Sequence, residues 1–392
     1  MADILFVTMD AGGNVQPMLG VAQAVAAMGH DIRVVGHDSL RAEASRYGVD
    51  LIAYRSVRQW DSLKVQSPLR WPQMLNDRRI GDEVRELCET RRPDVAVVDC
   101  LLAPAHHVVR ELGVSRVVFT HTFREYADHM RQLRRLGGGS PAAFYGYRLG
   151  ALWNSASANL VATHRALDPA SRRTQPANVE WTGVVLPEVV GPAASSASNV
   201  LVSMSTNGFP GQDRTLRRIV QALGDLPVQA TVTTGGVFDP SAFDAPDNVT
   251  ITGYADHLTL MPQCSLLIGH GGHSTTMRAL AHGMPVLVIP ASAFLDQRMI
   301  GRALRTAGVG NVLPRWSSAA AIRRAVQTLL DEEDVRVGRR RWGPNFVPRT
   351  VRVVLPRRST RWSRRAVSTR RDDSLACGMT VPLPVLPCLS AA

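Results

Sequence analysis

The 392-residue sequence has a single lysine, Lys64, and its other 44 basic side chains are arginine. That skew reads as a coding bias of the genome, not as chemistry. No apolar run approaches the roughly 20 residues a membrane-spanning helix needs, so a membrane span is excluded. The opening stretch, Met1 to Val7, has no basic segment and only a short apolar run. A secretory signal is therefore not expected, and the expected location is the cytoplasm. Cysteine is scarce. Cys88, Cys100, Cys264, Cys377 and Cys388 are odd in number and show no Cys-x-x-Cys spacing. A disulfide scaffold is thereby excluded, and buried free thiols in a reducing compartment are expected rather than a metal site. No Asp-x-Asp motif of the kind that holds a metal on a diphosphate occurs.

What is present fits a globular enzyme: 45% hydrophobic and 20% charged residues, enough chain for two domains. The net charge of +12 is unevenly spread. Residues 336–392 carry 13 arginines against Asp372 and Asp373, while residues 1–335 carry 32 basic and 31 acidic groups. The body is near neutral, so nucleic-acid binding would have to reside in the tail, and no nucleic-acid partner is expected. The tail is rich in Arg and Pro and has no sustained periodicity. It reads either as a poorly ordered basic arm or as a shifted reading frame. The second reading is preferred, because the tail starts where an α/β domain would continue with another helix.

Hydrophobic patterning alternates short apolar runs with helical periods. A strand at residues 3–8 leads to a turn at Ala11-Gly12-Gly13-Asn14 and a helix through Met28. Asp31–Val35 is the next strand. Asp94–Val98 and Arg116–Thr120 are strands around a helix at His106–Leu112. A Pro/Gly/Ala/Ser-rich linker at 187–198 separates this half from a second start. There, Asn199–Ser203, Gln229–Thr233, Leu266–Ile268 and Pro285–Ile289 read as strands. Helices are expected at Asp213–Leu223, Thr275–His282 and Ala319–Leu330. The fold class is α/β, with two doubly wound Rossmann-like domains, 1–186 and 199–335, facing across a cleft where a ligand would bind. Leu133–Ser140 reads as a basic loop, either a solvated turn or the border of a substrate site.

The most specific segment runs from Leu266 through His270-Gly271-Gly272-His273-Ser274-Thr275 to Pro290. A strand gives way to a Gly-Gly turn, which lets backbone approach a ligand. Ser274 and Thr275 follow in the first helical turn, with free N–H groups and hydroxyls. This is an anion-binding arrangement. His270 beside it can give a hydrogen bond or a positive charge to a diphosphate. The bland alternative is a capped helix with a structural glycine pair. His273 and His282 read as structural.

These residues, with Gly283-Met284-Pro285 and Asp296-Gln297, resemble the inverting nucleotide-sugar glycosyltransferases of family 1, which have the GT-B architecture. The resemblance covers roughly residues 1–335 and is strongest in the second half. It implies that His270, Gly272, Ser274 and Thr275 cradle a diphosphate. It further implies that Asp296 and Gln297 bind sugar hydroxyls. Tyr254 would stack on a nucleobase, Ala255 would read that base through its backbone, and His257 would lie near the ribose. Thr206, with Ser205, would line the donor pocket. Tyr254 as core and His257 as a helix cap remain the structural alternatives. Arg278 stands where many members have a ribose-binding Glu, and its presence leaves a dTDP-deoxysugar donor open.

Sugar transfer needs a base to take the acceptor's proton. The family places a His or Asp at the second position of Gly13-Asn14-Val15-Gln16-Pro17, but here it is Asn14, whose amide accepts no proton. Asp99 matches the carboxylate that supports that base in plant members. Three readings stay open: Asp10 or Asp99 acts directly, His121 or His107 leans into the cleft, or Asn14 only orients the acceptor in a weak catalyst. The carboxylates are favoured.

The expected activity is inverting transfer of a hexose or deoxyhexose from a UDP- or dTDP-sugar to a hydrophobic natural-product acceptor, with no cofactor and no metal. The alternatives are a non-catalytic nucleotide-sugar-binding partner and a sugar-nucleotide epimerase of the same architecture. A homodimer is left open.

Overall fold

A computed structural model of the chain describes residues 1–60, 70–132, 146–186, 198–204, 207–293 and 295–331, the side chains of 130–132 excepted. The Leu133–Ser140 loop, nearly all of the 187–198 linker, Ser205, Thr206, Cys377, Cys388 and the 336–392 tail lie outside the described residues.

The first half contains strands β1 (Asp3–Val7), β2 (Asp31–Gly36), β3 (Leu51–Ala53), β4 (Val95–Asp99), β5 (Ser115–Thr120), β6 (Ala158–Val161) and β7 (Val179–Trp181). Among its helices are α1 (Val15–Ala27), α2 (Arg41–Arg46), α3 (Arg70–Leu75), α4 (Arg78–Thr90), α5 (Ala103–Glu111), α6 (Arg124–Gln132) and α7 (Leu149–Asn154). The second half contains β8 (Asn199–Ser203), β9 (Gln229–Thr233), β10 (Val249–Thr252), β11 (Leu266–Gly269), β12 (Val286–Val288) and β13 (Gly310–Val312). Its helices include α8 (Gln212–Gly224), α9 (His257–Leu260), α10 (His273–Ala281), α11 (Gln297–Thr306) and α12 (Ala319–Asp331).

Every strand pairing is parallel. The orders are β3-β2-β1-β4-β5-β6-β7 and β10-β9-β8-β11-β12-β13. Both sheets reverse direction of growth beside their first strand, between β1 and β4 and between β8 and β11. In open α/β sheets the crevice at such a switch point is where ligands bind. The two halves are Rossmann-like, as their sequence pattern predicts.

Strand alternation sorts the core into layers. Ile4 and Phe6 pack with α1 residues such as Met18 and Leu19, whereas Leu5 and Val7 face Ile80 and Val84 of α4. A one-residue slip would exchange the two sets, so the register is tightly specified. In the second half, Val200 and Val202 face Leu216 and Ile219 of α8, while Leu201 faces the other way, among Met277, Leu280 and Ile300. That last cluster also contains Phe123, Leu167, Val184 and Leu186 from the first half of the chain. The halves therefore share a hydrophobic layer on this side of the cleft between them.

Two helices start earlier than expected. Helix α10 starts at His273, two residues before the expected Thr275, because Gly272 already takes the extended backbone of an N-cap. Helix α5 starts at Ala103, with Pro104 in its first turn, where a missing N–H costs nothing. Cys88, Cys100 and Cys264 are buried free thiols, as expected. Among the described residues no helix is long and apolar enough to cross a membrane.

Candidate active site at two facing switch points

The first switch point gathers buried polar groups. Asn14, at the N-terminus of α1, and Asp99, the last residue of β4, are both fully buried. Asn14 Nδ2 donates to Asp99 Oδ2 at 3.0 Å, to the Met9 carbonyl at 3.0 Å and to Thr8 Oγ1 at 3.3 Å. The Leu101 N–H donates to Asp99 Oδ1 at 3.0 Å. His121, just beyond β5, brings Nδ1 to 3.2 Å from Asp99 Oδ2. Burial pushes the Asp99 carboxyl up, but His121 and the hydrogen bonds outweigh it and hold the group below its ordinary value. Burial likewise opposes charge on His121, yet Asp99 holds its imidazole well above 6.5. Coupled buried charges of this kind are costly to separate.

Cys100 lies beside this pair, and one ligand-type atom each of Asp99, Cys100 and His121 falls within 4.8 Å of the others. Burial and the Asp99 charge push the Cys100 thiol up. With the carboxylate already engaged by His121, Asn14 and Leu101, the group is an ion pair beside a neutral thiol. The turn bearing His121 is fixed from a distance. Asp168 accepts from the backbone N–H groups of Arg124 and Glu125, at 2.7 and 3.1 Å, and so caps α6 immediately after it.

The two favoured carboxylates lie in different surroundings. Asp10 is partly buried, and its Oδ2 accepts from Ser39 Oγ at 2.7 Å. Asp99 exposes neither oxygen, so an acceptor hydroxyl has no direct access to it. His107 pairs with Glu111 on the surface of α5, 3.1 Å away, and His106 is buried with Nε2 on the Asp99 carbonyl.

The second switch point is built otherwise. His270 follows β11, and Gly271 and Gly272 lead into α10, whose N-terminus carries no side-chain cap. Its first N–H groups have no partner within the helix, and Ser274 and Thr275 are partly exposed beside them. The glycines answer to packing first. A Cβ on Gly271, at φ +87°, would meet Val288 Cγ1 at 2.6 Å, and one on Gly272 would sit 2.4 Å from His270 Nε2. The His270 ring thus lies against the turn. Burial lowers its pKa to about 4, so in the free protein it offers a hydrogen bond and not the positive charge also considered from sequence. Its buried Nδ1 has no hydrogen-bond partner by geometry.

Asp296 and Gln297 begin α11. Asp296 Oδ2 accepts from Thr122 Oγ1 of the first half. Burial raises the Asp296 carboxyl, with Thr122 and His121 opposing that shift. Gln297 is buried, and its Oε1 accepts from the N–H groups of Ala291 and Ser292 at 2.8 and 2.9 Å. Its oxygen therefore holds the loop after β12. Tyr254 is 73% exposed, which removes the core alternative, and Ala255 beside it is half-buried. His257 is not the cap of its helix, because Asp256 is. Burial lowers the His257 pKa to about 4.

Three further contacts across the halves were not legible in the sequence. His273 Nε2 meets Thr163 Oγ1 at 2.8 Å, Arg278 Nη2 donates to Gln16 Oε1 at 3.1 Å, and Asn207 Nδ2 donates to the Ala11 carbonyl at 3.4 Å. Arg278, where a ribose-binding Glu was the family expectation, reaches instead toward the start of α1.

Residues 217–344 match the family described as "Erythromycin biosynthesis protein CIII-like, C-terminal domain". The chain is 22% identical over 357 residues to the NDP-glycosyltransferase YjiC of Bacillus licheniformis, an alignment covering 82% of this chain and 88% of that protein. The fold superimposes on the glycotransferase of kitacinnamycin with a TM-score of 0.74 at 20% identity, over 88% of this chain and 95% of that one. It superimposes on the spinosyn rhamnosyltransferase SpnG complexed with thymidine diphosphate with a TM-score of 0.62 at 21% identity, over 88% and 96%.

Proposed function

We propose that this chain is a GT-B nucleotide-sugar glycosyltransferase of natural-product type, and that it transfers a hexose or deoxyhexose from a UDP- or dTDP-sugar to a hydrophobic acceptor with inversion, a reading supported by its similarity to the family and proteins above. One observation carries the reading. The uncapped start of α10 lies at one switch point and the Asn14–Asp99–His121 cluster at the other, while Thr122 and Asp296 bind each other across the halves. A diphosphate at α10 would meet backbone N–H groups, the Ser274 and Thr275 hydroxyls and His270. These groups would take up the charge that develops as the nucleotide leaves. Donor anchoring of this kind rests on protein groups alone, so the transfer is proposed to need no metal and no cofactor.

The sugar would lie between the halves, near Asp296. The acceptor would enter from the first half, where its hydroxyl attacks the anomeric carbon from the face opposite the diphosphate. In-line displacement of this kind inverts the anomeric configuration. Tyr254, which is exposed, would cover a nucleobase.

Calorimetry with thymidine and uridine diphosphate tests the donor site, and product NMR after incubation with α-linked dTDP- or UDP-glucose and a phenol panel tests the transfer. Binding with formation of a β-linked product is expected. Binding without turnover would favour the non-catalytic reading that Asn14 raises. No binding of either diphosphate would overturn the donor site itself.

A further inference from the structure

Asp99 cannot reach an acceptor and Asn14 cannot take a proton, yet the carboxylate that Asn14 binds lies against one side chain that can. We infer that His121 is the general base of this chain, held in working orientation by Asp99, with Asn14 as a positioning residue for that carboxylate. This rests on the transferase reading above.

The argument is geometric. Asp99 Oδ2 lies 3.2 Å from His121 Nδ1, so the carboxylate stands beside that nitrogen, and a ring that has lost one proton would keep the other on Nδ1 and carry its lone pair on Nε2. The His121 side chain is 13% exposed while its Nδ1 and the Asp99 side chain are buried, so solvent reaches the ring elsewhere than at the nitrogen beside Asp99. Asp296 at the start of α11 and His273 at the start of α10 both feel the charge of His121. His121 therefore looks toward the second half, and its neighbour Thr122 touches it through Asp296. A carboxylate behind an imidazole is the arrangement that orients a general base and stabilises the imidazolium it becomes.

Asn14 explains itself within this scheme. Its Nδ2 binds Asp99 Oδ2, the oxygen that also faces His121, and so fixes the carboxylate rather than the acceptor. The base has moved from the end of β1 to the end of β5, with the carboxylate at the end of β4 unchanged.

The step balances as follows. Because Asp99 holds the imidazole well above 6.5, the ring first gives its Nε2 proton to solvent. The neutral ring then takes the acceptor O–H proton at Nε2 as the oxygen forms a bond to the anomeric carbon. The bond from that carbon to the diphosphate oxygen breaks, and its electron pair leaves with the nucleoside diphosphate. The proton remains on His121 as an imidazolium beside Asp99, until solvent removes it. The titratable groups facing the ring are Asp99 at the end of β4 and Cys100 just after it, Asp296 at the start of α11 and His273 of α10.

The test compares the whole chain with His121→Gln, using dTDP- and UDP-glucose and two phenols. 4-Methoxyphenol must lose its proton during transfer, whereas 2-chloro-4-nitrophenolate is already ionised. His121→Gln should lose about 100-fold or more on 4-methoxyphenol and keep transfer to the phenolate near the parent rate. Thymidine diphosphate should bind the variant as it binds the parent chain. His107→Gln, on the outer face of α5, should transfer to both phenols normally. Equal loss on both phenols, or none on either, would overturn the assignment of His121 while leaving the donor reading intact. Absence of diphosphate binding by the parent chain would remove both readings. Should neither phenol serve as acceptor, nitrogen-15 NMR of labelled histidine in the full chain still decides. An Nδ1–H tautomer for neutral His121 supports the inference, and an Nε2–H tautomer overturns it.

Discussion

The two switch points have the same sheet topology and opposite electrostatic designs. In the first, an ionised pair is largely buried, with Asn14, the Leu101 N–H and His121 all drawn to the Asp99 carboxylate. In the second, burial keeps His270 neutral and the helix start is left uncapped. The difference suits two tasks. A site that handles a proton must hold charge in place before the substrate arrives. A site that receives an anion must leave its N–H groups unspent, because a built-in carboxylate there would compete with the ligand.

The comparison breaks most sharply at Asp99. Asp99→Asn removes one charge of a buried pair, and the loss should be about 3–5 kcal/mol in stability. Urea unfolding of the two chains measures it. In the surviving folded protein the imidazole of His121 should titrate at lower pH than in the parent. A Glu replacement that preserved stability but not the His121 titration would locate the effect in geometry rather than charge.

Acid should destabilise the protein through its buried neutral histidines. His270 and His257 are lowered to about 4, and His273 and His106 to about 3, against 6.5 in the unfolded chain. Because their folded values are depressed, their contribution is complete above pH 6.5 and is lost as pH falls toward 4 and then 3. His121 has the opposite sign. Its raised folded value gives stability that is complete below 6.5 and is lost as pH rises through that folded value. Asp99, held low, contributes above its unfolded value of 3.8 and loses that contribution only as pH falls through its folded value. Denaturation midpoints across pH should therefore fall on the acid side from about 6.5 downward, and His273→Gln should blunt that fall.

A smaller effect is expected where the designs meet. Thr122→Val removes the hydroxyl on Asp296 and leaves a buried carboxyl short of a partner, at a cost of about 1–3 kcal/mol. Thermal melting reads the cost, and solution scattering should show whether the halves then separate more readily. The smallest stability effect belongs to Tyr254→Ala. An exposed side chain should change stability by no more than about 0.5 kcal/mol. The same change should weaken binding of thymidine or uridine diphosphate if the ring covers the base, and calorimetry would register that.

The strand pattern was legible because parallel strands buried on both faces read as short apolar runs. Asn199–Ser203 and Gln229–Thr233 are strands over those same residues. The amphipathic α4 and α11 escaped notice, as did the short edge strands β3 and β13, whose three residues carry little pattern. The glycine turn was legible as a turn, but its cause was not. Gly271 is required by Val288 and Gln297, which lie far along the chain, and Gly272 by the His270 ring, whose placement against the turn only the fold sets. Asn14 was visible as an anomaly at a position where a base was expected. That His121 lies against the same carboxylate, 22 residues beyond Asp99, was not visible.

Sequence alone determined the alternation of strands and helices, the near-neutral charge of residues 1–335 and the strand-turn-helix passage through residues 266–281. Each depends on neighbours within a few positions, where periodicity and backbone chemistry operate. Tertiary structure decided which polar groups share a charge. Asp99 meets His121 because β4 and β5 are adjacent and both end at the same rim, and Thr122 meets Asp296 because the two halves share one hydrophobic layer. Electrostatic coupling falls off over a few ångströms, and only the folded chain brings such residues that close.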